Sequence, residues 1–385
     1  MPRPSTPDNS LEISEASLLA HVRLACVPGV GARMRKLLLE RLGSPEAIFS
    51  LSPEAIREVG RSGPKLLGPK LIEAISDPRL ADEADRVVKL CRRRSVRILL
   101  EGMEGYPPLL SRIDDPPPLL FARGELKECD NLAVAIVGAR HATTYGLKVA
   151  EQLAGSLARA GYTVASGLAR GIDAAAHRGA IAAGGRTIAV LGSGVLSIYP
   201  PEHGSLAEEV IAHGALLSEC PPLAAPSVGA FPQRNRIVSG MCLGTVVVQA
   251  SERSGALITA RLAGEQGREV FAVPGPIDCR MSKGCHALIR DGAKLVGGID
   301  DILEEFGPLF ETAVSPGGDG TEKPAERSLD AAEREVFDAI GGGEISIDEV
   351  VEATGLAAAQ VLAAVSVLEV RRLVRRLPGN RLARK

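Results

Sequence analysis

The sequence predicts a multi-domain α/β protein: a central Rossmann-like domain on a mostly parallel sheet, an N-terminal helical module and a C-terminal winged-helix module. Two observations carry the central domain. Short β-rich runs (AVAIV, YTVAS, RTIAVL, ALLSE, GTVVVQA, REVFAV) alternate with helical segments of roughly ten to fifteen residues, the pattern of βαβ units. Glycine-rich segments follow most of these runs, at the strand ends where open α/β sheets bind ligands. The third observation is an aperiodic stretch rich in Gly, Pro and charge, SPGGDGTEKPAE, which sets a short tail apart.

Residues 1–94 alternate apolar and charged positions at helical spacing and end in the basic run CRRRSVR, a small helical module. Within it, VPGVGARMRKLLLERLG places Gly29 and Gly31 at a tight connection ahead of an amphipathic helix. The string resembles the helix-hairpin-helix of DNA-binding and sterile-alpha-motif-like (SAM-like) domains, whose hairpin N–H groups face a phosphate. A plain αα-hairpin that needs glycine for positive φ explains it equally well. Arg33, Arg35 and Lys36 favour the first reading only if they surround the hairpin.

Residues 95–306 form the Rossmann-like domain, 307–328 a linker and 329–385 the winged helix. In the tail, Leu329, Ala332, Val336 and Ile340 share one helical face. Ser346 with Glu349 makes a capping box for a second helix ending near Gly355. A third helix runs from about Ala357 to Arg372, and Pro378, Gly379 and Asn380 turn a hairpin. Gln360 is almost the only early polar group on that helix, so a protein contact or phosphate contacts through Arg371, Arg372, Arg375, Arg376 and Arg381 are expected rather than base reading.

Bulk composition narrows the chemistry. At 385 residues the chain holds two or three modules, and 45% hydrophobic with 24% charged residues is globular. A formal net charge of -2 excludes a uniformly basic nucleic-acid binder, so any such site is a local pocket. Only 3% of residues are aromatic and Trp is absent, which argues against an extended stacking platform. Seven cysteines without a CxxC pair fit neither a disulfide framework nor zinc, and buried free thiols are expected. No apolar signal core and no run of about 18 apolar residues occurs, so membrane insertion is not expected and a cytoplasmic, reducing location is.

Five strand-end loops concentrate the functional signal. AVAIV runs into Gly138, Ala139 and Arg140, and YTVAS runs into SGLARGIDAAAH with Ser166, Gly167, Arg170, Gly171 and Asp173. RTIAVL leads to GSGVLSIYPPEH, GTVVVQA to SERSGALITARLA with Ser254 and Gly255, and REVFAV to PGPIDCRMSKGCHALI. Glycine admits close backbone approach and helix N-termini offer free N–H donors, so a row of such loops suits a polyphosphate. FPQRNRIVSG adds Phe231, Arg234, Asn235 and Arg236 immediately before a helix, for phosphate, sugar or base contacts. The alternative is an arginine here that pairs with Glu219 or Glu252.

The strings AIVGAR, TTYG, SGLARGIDAAAHRGAI, GGRTIAVLGSG, YPPEH, FPQRNRIVSG, SGALITARLA, GREVFAVPG and IRDGAKLV, preceded by YPPLL and DPPPLLFARGEL, resemble the DNA-processing A (DprA/Smf) family in sequence and order. The likeness covers about residues 95–300. It implies a Rossmann-like core that binds single-stranded DNA, dimerises and helps load the recombinase RecA in natural transformation or recombination, with no cofactor and no known catalysis. Carried onto this chain, the implied pocket holds Gly138, Arg140, Ser166, Gly167, Arg170, Gly171, Asp173, Phe231, Arg234, Asn235 and Arg236, with Ser254 and Gly255 on its rim. His203 and His286 stand where the family usually has Asn.

Enzyme readings have weaker support. Gly192 and Gly194 lack the third glycine of GxGxxG, where Ser197 stands, so a dinucleotide site is disfavoured. The nucleoside-monophosphate phosphoribohydrolase group shares a Rossmann-like core but carries PGGxGTxxE, which SGALITARLA does not match. Asp173 and His177, four apart on one helix face, remain acid–base candidates, although Asp173 serves equally as a helix cap or a partner for Arg140 or Arg170.

Overall fold

The computed structural model describes residues 14–52, 54–56, 58, 69–227, 229–306, 331–341, 345–370, 373–377 and 381–384. The chain divides into two compact units, Met1–Pro308 and Leu309–Lys385. In the first, the helical segment and the sheet domain pack as one body.

Nine strands form the sheet of the first unit: β1 Arg97–Leu100, β2 Leu119–Gly124, β3 Ala133–Val137, β4 Thr163–Ser166, β5 Thr187–Val190, β6 Gly214–Ser218, β7 Gly244–Val247, β8 Glu269–Ala272 and β9 Lys294–Leu295. Their spatial order is β1-β2-β6-β5-β4-β3-β7-β8-β9. β3 to β9 pair in parallel, whereas β2 joins β6 and β1 joins β2 antiparallel. Strands β3 to β7 are buried along their whole length, which is why they read as continuous apolar runs rather than alternating ones. From β3 the chain winds outward through β4 and β5 to β6, then returns to lay β7 on the other flank of β3. That reversal opens a crevice at the carboxyl ends of β3 and β7.

Helices cover both faces. Thr144–Arg159 and Ile172–Ala182 lie so close that a Cβ at Gly179 would run into the backbone of Glu151. At the amino ends of the strands, the buried carboxylate of Asp130 accepts from Lys127 N (2.8 Å), Thr163 Oγ1 (2.7 Å) and both Arg186 Nε and Nη2 (2.7 Å each). It thereby joins the approach to β3 with the starts of β4 and β5. Free cysteines include buried Cys91, Cys242 and Cys285, while Cys129 is exposed, contrary to the uniform burial expected.

In the N-terminal segment, helices Glu15–Cys26 and Ala32–Leu42 are joined through Gly29 at φ 79°. Arg35 turns inward to Glu219 (3.2 Å) and Lys36 donates to the carbonyl of Asp114, so these two cations do not surround the hairpin. The side chain of Arg33 lies outside the described residues. Glycine at positive φ accounts for the connection without a phosphate.

The second unit holds helices Ala331–Ile340, Ile347–Thr354 and Ala358–Val370 with strands β10 Ile345–Ser346, β11 Val374–Leu377 and β12 Arg381–Arg384, in the order β10-β12-β11. Val336, Ile340, Val350, Val361, Val365, Leu368 and Leu382 form its core, a winged-helix arrangement. Ser346 and Glu349 cap reciprocally: Ser346 N donates to Glu349 Oε2 (2.7 Å) and Glu349 N to Ser346 Oγ (3.2 Å). Gly355 closes that helix at φ 65°. Gln360 accepts from Ala357 N (3.3 Å) and so turns back on its own helix start. Arg375 and Arg381 are exposed; Leu329, Arg371, Arg372, the 378–380 turn and the side chains of Ala332 and Arg376 lie outside the described residues.

Asp130 serves the sheet and is no part of the crevice. Asp130→Ala strands Arg186 and Thr163 and is expected to destabilise the first unit by about 3 kcal/mol, read as a lowered urea midpoint.

Candidate nucleic-acid interface

A cavity of 560 Å³ occupies the crevice, lined by residues 137–141 after β3, Gly167, Ala169 and Asp173 after β4, and Ser251, Ser254 and Gly255 after β7. Tyr199 and the helix Ala230–Gly240 close it with Phe231, Arg234 and Asn235. Nine of the residues expected at the site therefore meet here: Gly138, Arg140, Gly167, Asp173, Phe231, Arg234, Asn235, Ser254 and Gly255.

The glycines divide by role. A Cβ at Gly138 would strike the side chain of Ile172 and the carbonyl of Gln249, and one at Gly171 the carbonyls of Ala139 and Arg140. These two let the β3 loop press on the helix Ile172–Ala182. Gly167 leaves room for the guanidinium of Arg234. Of the expected site glycines, Gly255 alone has nothing within 4 Å of its Cβ position and faces open space, at the start of the helix Gly255–Glu265. Ser254 Oγ caps that helix by accepting from Ala256 N (3.3 Å) and Ser254 O accepts from Leu257 N (3.1 Å), which leaves Gly255 N as the first-turn donor able to face an anion.

Beneath the cavity, Asp173 is buried and accepts from Gly167 N (3.1 Å) and Ala169 N (3.3 Å), so it fastens the glycine loop. Burial raises its carboxyl pKa, and nearby Arg234 opposes that rise. Arg234 is equally enclosed; burial lowers its pKa, Asp173 supports its charge, and its guanidinium donates to the carbonyl of Val190. Arg140 is exposed above them, 5.5 Å from the centroid of the Phe231 ring and with no carboxylate partner among the described residues. The rings of Phe231 and Tyr199 stand 5.6 Å apart.

Four expected residues do not line the cavity. Ser166 is buried and donates to the carbonyl of Ile136 (2.6 Å), Gly171 packs as described, and Arg170 pairs with Glu202 at the surface (2.5 Å). Arg236 is buried between Glu219 (2.8 Å) and Asp115 (3.2 Å), as the alternative for one arginine anticipated. The segment FPQRNR lies inside the helix Ala230–Gly240 rather than ahead of it. Arg234 and Arg236, two positions apart on a helix, cannot face the same way.

His203 and His286, the two departures from the expected pattern, bond the carbonyls of Leu168 and Gly275 (2.9 Å each). Sequence reasoning missed Tyr199 as a wall and Gln249 as a clasp. Gln249 O accepts from Ala139 N (2.7 Å), and its side chain accepts from Thr143 N (2.9 Å) and donates to Thr143 Oγ1 (2.8 Å), joining β7 to the β3 loop. A glutamine ending the apolar run GTVVVQA was the available signal. His177 is fully buried and does not line the cavity. Thr187 Oγ1 donates to Val164 O (2.8 Å), so it accepts from His177 Nδ1–H (2.7 Å). The ring is neutral, its pKa pushed down to about 3 by burial. Asp173 and His177 thus make no exposed acid–base pair.

The fold and crevice define a doubly wound α/β protein with its candidate site at the reversal of strand order. The chain belongs to the DNA recombination-mediator protein A family, whose model matches residues 97–307, and the DprA winged helix domain matches residues 320–380. Protein Smf of Synechocystis sp. is 33% identical over 93% of this chain and 96% of its own length. DNA processing protein DprA of Bacillus subtilis is 43% identical over 57% of this chain and 75% of its own. The X-ray structure of DNA processing protein A from Streptococcus pneumoniae superposes with a TM-score of 0.61 at 33% identity, covering 76% of this chain and 98% of that one. A Helicobacter pylori DNA processing protein A, solved for its single-stranded DNA binding mode, gives 0.50 at 29% identity over 56% and 96%.

His177 sets a pH dependence. Between its ordinary value of 6.5 and about 3 the unfolded chain binds a proton that the folded chain does not. Its contribution is complete above the unfolded value and is lost as pH falls, at up to about 1.4 kcal/mol per pH unit. Urea unfolding from pH 7 to pH 5 is expected to show this slope in the wild type minus His177→Gln difference.

Proposed function

We propose that the crevice binds single-stranded DNA by its backbone, with little sequence preference. The observation that carries this is Arg140, an exposed guanidinium that forms no ion pair among the described residues, set against Phe231 at the mouth of a cavity edged by the start of the helix Gly255–Glu265. Guanidinium and N–H donors suit phosphate oxygens. The rings of Phe231 and Tyr199 suit the faces of bases, which a single strand offers and a duplex keeps stacked. The Helicobacter pylori relative, studied for its single-stranded DNA binding mode, supports the same ligand. The protein, as a homodimer in the cytoplasm, protects such strands and helps load RecA on them, in recombination or natural transformation. Its role is read as non-enzymatic, a reading supported by the burial of both acid–base candidates: Asp173 fastens the loop after β4 and His177 does not line the crevice.

Filter binding of single- and double-stranded oligonucleotides across a salt series tests this. Three or four neutralised phosphates at about 0.7 each give an expected slope of about -2 to -3 for single strands. Arg140→Ala lowers affinity and takes about 0.7 from that slope, whereas Phe231→Ala weakens binding by about 1–3 kcal/mol and leaves the slope unchanged. Equal affinity for duplex and single strand, or an unaltered Arg140→Ala variant, refutes the proposal. Arg234→Ala is a poor probe, since it leaves Asp173 buried without its neighbouring cation. Incubation with nucleoside monophosphates is expected to release no free base.

A further inference from the structure

The basic run that closes the N-terminal segment is not used by the crevice. It belongs to the helix Arg79–Arg93, whose apolar side, Leu80, Ala84, Val88 and Cys91, is buried. Arg86, Lys89 and Arg93 recur at i, i+3 and i+7 on the exposed side. Together with Leu90, Arg92 and Leu223 they line a cavity of 620 Å³. Lys89 pairs with Asp85 (2.5 Å) and Arg92 with Glu15 (2.8 Å). Arg86 and Arg93 have no carboxylate partner among the described residues, and Arg86 Nε reaches only the carbonyl of Asp82 (3.2 Å). Leu223, from a distant part of the chain, stands among these cations 64% exposed.

The position of Leu223 gives the groove its meaning. It follows β6, and because β3, β4, β5 and β6 are parallel their carboxyl ends share one edge of the sheet. From β3 to β6 is three strand spacings, roughly 14 Å. The intervening surface is fixed: the loop after β5, which brings Tyr199 to the crevice, donates from Gly194 N to Ala224 O (2.9 Å) and from Leu196 N to Pro222 O (2.8 Å).

We propose that this groove is a second contact for the same strand of DNA, reached by nucleotides that leave the crevice along the carboxyl edge. Arg86 and Arg93 hold phosphates through their guanidinium forks, and Leu90 and Leu223 bed the sugars or bases between them. At about 3.4 Å per nucleotide the gap takes about four nucleotides. This inference rests on the crevice binding single-stranded DNA, and the experiment separates the two.

The full chain, its R86E/R93E variant and its Arg140→Ala variant are titrated with oligothymidylates of about four and about twenty nucleotides, with circular dichroism as the check on folding. R86E/R93E is expected to weaken the long strand about tenfold at low salt and to take about 1.4 from its salt slope, two phosphates at about 0.7 each, while the short strand binds as before. Arg140→Ala is expected to weaken both. If R86E/R93E leaves the long strand unaffected while Arg140→Ala still weakens both lengths, the groove does not touch DNA and an acidic protein segment becomes its fitting occupant. Equal loss for both lengths in R86E/R93E likewise overturns the second contact. An Arg140→Ala variant that binds both lengths normally removes the crevice, and the inference with it.

Discussion

Two opposite charges enclosed beneath the crevice hold its architecture in place. Asp173 and Arg234 are both buried, and each is tolerable there because the other offsets its desolvation. Asp173 gathers the N–H groups of Gly167 and Ala169, and Arg234 reaches the carbonyl that ends β5. The loop after β4, the tip of β5 and the helices starting at Ile172 and Ala230 are thereby set against one another. Exposed Arg140 and half-buried Phe231 and Asn235, which line the crevice, stand on that base.

This arrangement is consistent with the proposal that a chain of slightly negative net charge holds a strand of DNA in a local crevice. Of the cations near the crevice, Arg234 is internal, Arg236 is paired with acidic groups, and Arg170 is held by Glu202. What remains among the described crevice residues is the guanidinium of Arg140, the N–H of Gly255 and two rings. Affinity then depends on fixed geometry more than on summed charge, and the clasp of Gln249 across β3 and β7 supplies that fixity.

Much of the fold was legible because double-sided burial writes β3 to β7 as apolar runs. β1, β2 and β9 were less so: RILL is a four-residue edge strand, LLFARG follows a run of prolines, and β9 is two residues long. The candidate site was legible as a set of loops and less so as directions of side chains. A helix started at Ala230 instead of after Arg236 would have sent Arg234 and Arg236 to opposite sides from sequence alone. Ser166 and Gly171 carry the right residue types for a ligand loop, and only packing reveals that they serve the backbone of β3 and the residues that follow it.

Glu219 forms an ion pair with Arg35 through one oxygen and accepts from Arg236 on the other, and all three side chains are almost wholly shielded from water. With Asp115, which also pairs with Arg236, it ties the first helices of the chain to the helix that carries Phe231. Loss of any one member leaves an unbalanced charge in a dry place, so these three positions are constrained to drift together or not at all. The N-terminal segment is in this respect no detachable accessory: its removal would leave a buried carboxylate of the crevice wall short of one cation.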